Sequence, residues 1–99
     1  MFSSRLQNEQ TDNLARAFLA LENEEDCYRL FEDLFTIREI QDLSQRLEVA
    51  QLLKSQATYT EIVEKTGVST ATIGRVNRAL NFGNDGYDLV FTRLAKEES

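Results

Sequence analysis

The side chains best suited to chemistry lie close together, between positions 69 and 78. Ser69, Thr70 and Thr72 carry hydroxyls that can donate hydrogen bonds to phosphate. Arg75 and Arg78 carry guanidinium groups, which can contact phosphate or the acceptor edge of guanine. No acidic residue occurs between positions 66 and 83, although the chain holds 17 Asp and Glu against 11 Lys and Arg. This combination is typical of a surface that binds nucleic acid.

Other kinds of chemistry are excluded by composition. The chain has no histidine and one cysteine, Cys27, so it lacks a Ser-His-Asp triad, a Cys-His pair and a His-ligated metal site. We therefore predict no enzymatic activity, no metal and no cofactor. A single cysteine suits a reducing compartment, which predicts a cytoplasmic protein. No apolar run approaches the length of about 20 residues that a membrane span needs.

The elements that must position these side chains form a helix-turn-helix over residues 58–80. Thr58 begins a short helix, and Glu61 three positions later completes a capping box. Gly67 ends that helix, because glycine readily adopts the positive φ of a helix terminus. Ser69 is the candidate N-cap of a second helix over residues 70–80.

The second helix has two distinct faces at 100° per residue. Its apolar side chains, Ile73, Val76 and Leu80, point inward. The opposite face is small and basic, so its backbone can approach the major groove of DNA closely. The residues predicted to contact DNA are Thr58, Tyr59, Ser69, Thr70, Ala71, Thr72, Gly74, Arg75 and Arg78.

The remainder of the chain also has helical periodicity. The first ten residues are mostly polar, which predicts a flexible N-terminal segment over 1–10 and a single helical domain over 11–99. Further helices are expected from Thr11, from Glu24, from Ile37 to about Ser55 and from Tyr87 to Ala95. With no strand pattern, the fold class is all-α. A chain of 99 residues buries only part of its surface alone, which favours association with a partner or with a second copy of itself.

Three stretches resemble the Trp-repressor superfamily, and within it the YerC/YecD branch. They read LFTIREIQDLSQRLEVAQLLK at 34–54, TYTEIVEKTGVSTATIGRVNRALNFGNDGY at 58–87 and, more loosely, EEDCYRLFEDL at 24–34. The resemblance implies six helices, an intertwined homodimer, and a helix-turn-helix in each subunit that reads half of a palindromic operator. It thus implies a sequence-specific transcriptional regulator, and more narrowly a repressor.

The resemblance also implies a second set of candidate residues, for a small-molecule effector. Two arginines clasp the ligand in tryptophan-binding members, and the positions that match them are Arg46 and Arg75, with Thr36 as a further pocket residue. The match is broken at Val76 and Ala79, where those members carry glycine and serine. A valine side chain would fill much of the ring space, so the expected effector, if one exists, is not tryptophan.

Two other functions remain open from the sequence. One is a protein-interaction module that keeps the helix-turn-helix shape without binding DNA. A net charge of −6 favours it, as do Thr60 and Val63, which stand where repressors of the superfamily carry basic residues. The other is an effector-gated sensor with a non-tryptophan ligand, which depends on Arg46 and Arg75.

Overall fold

A computed structural model describes residues 2–98 and contains no strand within them. The all-α prediction is confirmed. The predicted N-terminal segment begins at residue 1 and the predicted domain ends at residue 99, and these two residues lie outside the described part of the chain. The six helices are α1 (Glu9–Leu19), α2 (Glu24–Leu34), α3 (Ile37–Lys54), α4 (Tyr59–Thr66), α5 (Thr70–Phe82) and α6 (Gly86–Glu98).

Four helices begin at a polar residue whose side-chain oxygen accepts a backbone N–H of the first turn; these residues are Asn8, Asn23, Thr58 and Ser69. Such caps satisfy N–H groups that lack a partner within the helix. The cap at Asn8 explains why α1 starts two residues before the predicted Thr11. Glu9 and Gln10 are therefore helical and do not belong to the N-terminal segment to which the sequence assigned them.

The helix-turn-helix is longer than the predicted range 58–80, because α5 continues to Phe82. The amide Nδ2 of Asn81 donates to the carbonyl of Asn77 at 2.9 Å, and the N–H of Gly83 donates to the carbonyl of Ala79 at 3.0 Å. These bonds close a last turn that the cluster of Asn and Gly residues does not reveal. The last helix, α6, likewise runs three residues beyond the predicted end at Ala95.

The described chain divides into two compact units, an N-terminal unit ending at Ile37 and a C-terminal unit beginning at Arg38. In the N-terminal unit, the ring of Phe35 lies 6.4 Å from Phe18 and 6.1 Å from Phe31, centroid to centroid. Yet no residue from 2 to 37 is fully buried. The N-terminal unit thus has aromatic contacts but no closed core, and a single domain over 11–99 remains a prediction.

The C-terminal unit has a core, and it contains the residues that the helix-turn-helix pattern places inside. Ile62 and Ile73 are 0 % exposed, Val76 is 2 % exposed and Val68 closes the turn between α4 and α5. Leu80 packs partly buried against this cluster. The inward face predicted for α5 is therefore confirmed.

The buried face of α3 agrees with the sequence pattern only in part. Spacings of three and four residues select Ile40, Leu43, Leu47, Ala50 and Leu53 or Leu52 as its apolar stripe. Within the C-terminal unit the core takes Val49 and Ala50, and Leu52 and Leu53 pack partly buried against it. Leu43 and Leu47 remain 40 % and 39 % exposed. The helix is apolar on more than one side, so periodicity alone does not tell which side meets α4 and α5.

Candidate nucleic-acid interface

The turn between α4 and α5 is fixed by backbone conformation and by two hydrogen bonds. Gly67 has φ of 73° and its N–H donates to the carbonyl of Val63 at 2.9 Å. The N–H of Val68 donates to the hydroxyl of Thr66 at 3.1 Å, and the Val68 side chain enters the core. A residue with a Cβ atom is strained at this φ. The turn therefore holds α5 at a defined angle to α4.

The start of α4 has the predicted capping box. The hydroxyl of Thr58 accepts the N–H of Glu61 at 3.2 Å, and the Glu61 carboxylate accepts the N–H of Thr58 at 3.1 Å. The pKa of Glu61 lies below its ordinary value because of hydrogen bonding to Thr58. The bond from the Thr58 backbone has the larger effect, and the bond with the Thr58 side chain has the smaller one. The charged form is the better acceptor at a helix N-terminus.

This capping box predicts a pH dependence of stability. Because the pKa of Glu61 is lowered on folding, its charged form stabilises the protein above the pKa of the unfolded chain, and this contribution is lost as pH falls from about 5 to 3. Glu61→Gln keeps an acceptor oxygen but does not titrate. We expect the melting temperature of the wild type to fall more steeply than that of Glu61→Gln over this range. Parallel curves for the two proteins would contradict the prediction.

The first turn of α5 uses two of the predicted hydroxyls for itself. Ser69 Oγ accepts the N–H of Thr72 at 3.2 Å and lies 3.1 Å from Thr72 Oγ1. The Ser69 side chain therefore stabilises the start of α5 without any bound partner. Thr70 and Ala71 follow on the surface and are exposed.

The outward face of α5 consists of Ala71, Arg75 and Arg78, all exposed, with Gly74 half-buried beside them. Within residues 2–98, neither guanidinium has a carboxylate within ion-pair distance. The other predicted contact residues, Thr58 and Tyr59, are exposed at the start of α4. The C-terminal unit thus carries all nine predicted DNA-contact residues on the two helices of the motif and at their N-caps, Thr58 and Ser69.

The two arginines predicted to bind an effector line one cleft, of about 460 Å³. Arg46 comes from α3 and Arg75 from α5. Arg75 is exposed on the outward face of α5 and also lines the cleft. Arg46 Nε donates to the carbonyl of Asp42, one turn earlier, at 3.4 Å. The full lining is Asp42, Gln45, Arg46, Gly67, Val68, Ser69, Thr72 and Arg75.

Asp42 and Gln45 also line the cleft, although neither is among the predicted site residues. For Asp42 the spacing of four residues from Arg46 is a signal, because residues four apart lie on one helix face, whereas Gln45 is adjacent to Arg46 and gives no such signal. The structure also locates the two positions at which the match to tryptophan-binding members is broken. Val76 lies in the core rather than in the cleft lining, and Ala79 lines a separate apolar groove beside Tyr87. Thr36 belongs to the N-terminal unit, and its role stays a prediction.

The fold and these faces define an all-α protein with a helix-turn-helix. The chain belongs to the Trp repressor family, whose model matches residues 9–95, and its YerC-like branch is also supported. It is 48% identical over 95 residues to the uncharacterised protein YerC of Bacillus subtilis strain 168, covering 96% of this chain and 91% of YerC.

Two solved structures are similar to this chain. A TrpR-like protein from Eubacterium eligens is 54% identical with a TM-score of 0.88, covering 92% of this chain and 94% of that one. A candidate Trp repressor from Staphylococcus aureus is 48% identical with a TM-score of 0.87, covering 92% and 91%. The family is one of DNA-binding regulators. Among the described residues, no helix is long and apolar enough to cross a membrane.

Proposed function

We propose that this protein is a sequence-specific transcriptional regulator, acting as a repressor, which inserts α5 into the major groove of operator DNA. The observation that carries the proposal is the outward face of α5, where Arg75 and Arg78 are exposed and unpaired within residues 2–98. Exposed arginines on a solvated helix usually lie among acidic residues, but α5 contains none. A guanidinium without an intramolecular partner is available for phosphate or guanine.

The charge distribution accounts for a net charge of −6 in a DNA-binding protein. Residues 1–34 hold three basic and eight acidic residues, whereas residues 69–83 hold two basic residues and no acidic one. Most of the negative charge therefore belongs to the N-terminal unit. Repulsion between exposed charges and DNA is screened beyond about 8 Å at physiological salt, so binding requires only a locally basic face.

The proposal includes a homodimer. None of residues 2–37 of the N-terminal unit is buried, and the exposed apolar side chains there include Leu19 at 84 % and Ile37 at 78 %. In the C-terminal unit, Leu43 and Leu47 are also exposed. Apolar surface of this extent marks a protein interface, and a second copy that covers it presents a second α5. Two such helices one DNA turn apart, about 34 Å, read a palindrome.

The direct test is selection of bound duplexes from a random DNA pool by the purified protein, followed by a salt titration of the best sequence. We expect a palindromic motif, an affinity that falls with salt as phosphate contacts release counterions, and a dimer by light scattering. Recovery of no motif by an intact dimer contradicts the proposal. That result, with no DNA affinity at about 0.1 M salt, would favour either the protein-interaction module or a regulator that requires an effector.

A second candidate function, gating by a small-molecule effector, is supported by the cleft that Arg46 and Arg75 line together. Because Arg75 also belongs to the outward face, a ligand bound in the cleft would change how the outward face of α5 meets DNA. Its test is a thermal melt with tryptophan and with inorganic phosphate as probes. A ligand at 100 times its Kd stabilises by about 2.7 kcal/mol. We expect no shift in melting temperature with tryptophan, since this chain has Val76 and Ala79 where the tryptophan-binding members carry glycine and serine.

A further inference from the structure

Gly74 lies in the middle of α5, where a glycine lowers helix stability relative to alanine. Nothing in the described fold requires it there. Its φ lies outside the positive range that favours glycine, and a Cβ atom added to it would meet no atom within 4 Å. An alanine would therefore fit the helix without strain and would stabilise it. The reason for a glycine at this position must lie outside the described chain.

The other glycines show the contrast. Gly67 has the positive φ of the turn, and a Cβ atom on Gly83 would lie 2.3 Å from the carbonyl oxygen of Ala79. Both are required by the fold. Gly86 also has open space around it, but it is the first residue of α6, where the helix interior penalty does not apply. Among the described glycines, Gly74 is thus the one that weakens a helix interior although no contact within residues 2–98 requires it.

We propose that Gly74 sets the distance of closest approach between α5 and the major groove, and so helps to determine which operator the protein selects. This inference rests on the proposed DNA-binding function. Gly74 is half-buried and lies beside Arg78 at the edge of the outward face that Ala71, Arg75 and Arg78 form. A helix surface without a side chain at this point lets the base edges approach the backbone, while the two arginines reach the DNA from the adjoining outward face. An added methyl group holds the helix away and lengthens those contacts.

The test is Gly74→Ala, measured in three ways. We expect the melting temperature to rise by about 3 to 8 °C at equal protein concentration, because the helix gains propensity. We expect affinity for the wild-type operator to fall at least about tenfold, because the added methyl group overpacks a close contact at each half-site. Selection from a random pool should return a motif altered at one or two positions of each half-site, since only those bases face the added methyl group.

Gly86→Ala is the matched control, with the same added methyl group in equally open surroundings but off α5. It should leave affinity and motif unchanged. If Gly74→Ala binds the wild-type operator as well as the wild type does, or if it loses stability, the inference is wrong and the proposed function stands. If the wild type itself selects no motif, both are wrong. A merely structural role for Gly74 would not alter the selected motif.

Discussion

Replacing Arg78 by alanine is expected to weaken operator binding by about 2 to 6 kcal/mol, with the fold and the oligomeric state unchanged. An arginine paired with guanine contributes about 1–3 kcal/mol of discrimination, and a dimer presents two of them. Arg78 is exposed on the outward face of α5 and makes no ion pair within residues 2–98, so its removal leaves no intramolecular partner unsatisfied. Affinity is measured by fluorescence anisotropy on the selected duplex, and the dimer by light scattering.

Arg93→Ala on α6 is the matched control for charge, because it makes the same change in net charge at an exposed position off the outward face. Long-range repulsion alone would weaken both variants equally, whereas direct contact weakens only Arg78→Ala. Comparable losses in the two variants, or no loss in Arg78→Ala, would exclude Arg78 as a contact residue.

Arg75→Ala separates the two roles that meet at this residue. Because Arg75 also lines the cleft with Arg46, its replacement is expected to remove any ligand-induced shift in melting temperature as well as DNA affinity. Arg78 is not among the cleft residues, so Arg78→Ala should leave a ligand-induced shift in place. The pair of variants therefore distinguishes direct DNA contact from an effect through the cleft.

Replacing Ile73 by alanine is expected to lower the free energy of unfolding by about 2 to 5 kcal/mol, through lost burial and the cavity left behind. Ile73 is 0 % exposed and belongs to the core formed with Ile62, Val49 and Val76. The loss is a large part of the 5–15 kcal/mol that stabilises a typical domain. DNA binding should decline with it, because this core holds α5 in place. Urea unfolding at fixed protein concentration measures the effect.

Ile73→Val provides the graded comparison, with an expected loss of about 0.5 to 1.5 kcal/mol because only one methylene group is removed. The free energies should follow the volume removed. Equal effects of the two substitutions, or a loss below about 0.5 kcal/mol in Ile73→Ala, would show that the site is not a close-packed core.

The helix-turn-helix could be predicted from the sequence because its determinants are local. Thr58, Glu61, Gly67 and Ser69 act within three or four residues of their own positions, through caps and a positive φ. The inward face of α5 follows from a period of 3.6 residues. The exact ends of α1, α5 and α6 could not be predicted, because they depend on side-chain and backbone bonds that each contribute about 1 kcal/mol.

The choice of buried face on α3 and the formation of the cleft were decided only by the tertiary structure. The helix carries apolar residues on two sides, and packing against α4 and α5 buries Val49 and leaves Leu47 exposed. That same packing brings Arg46 to Arg75, 29 positions later in the chain. Periodicity reports which residues share a face, whereas the partner of each face depends on how complementary surfaces of separate helices fit together.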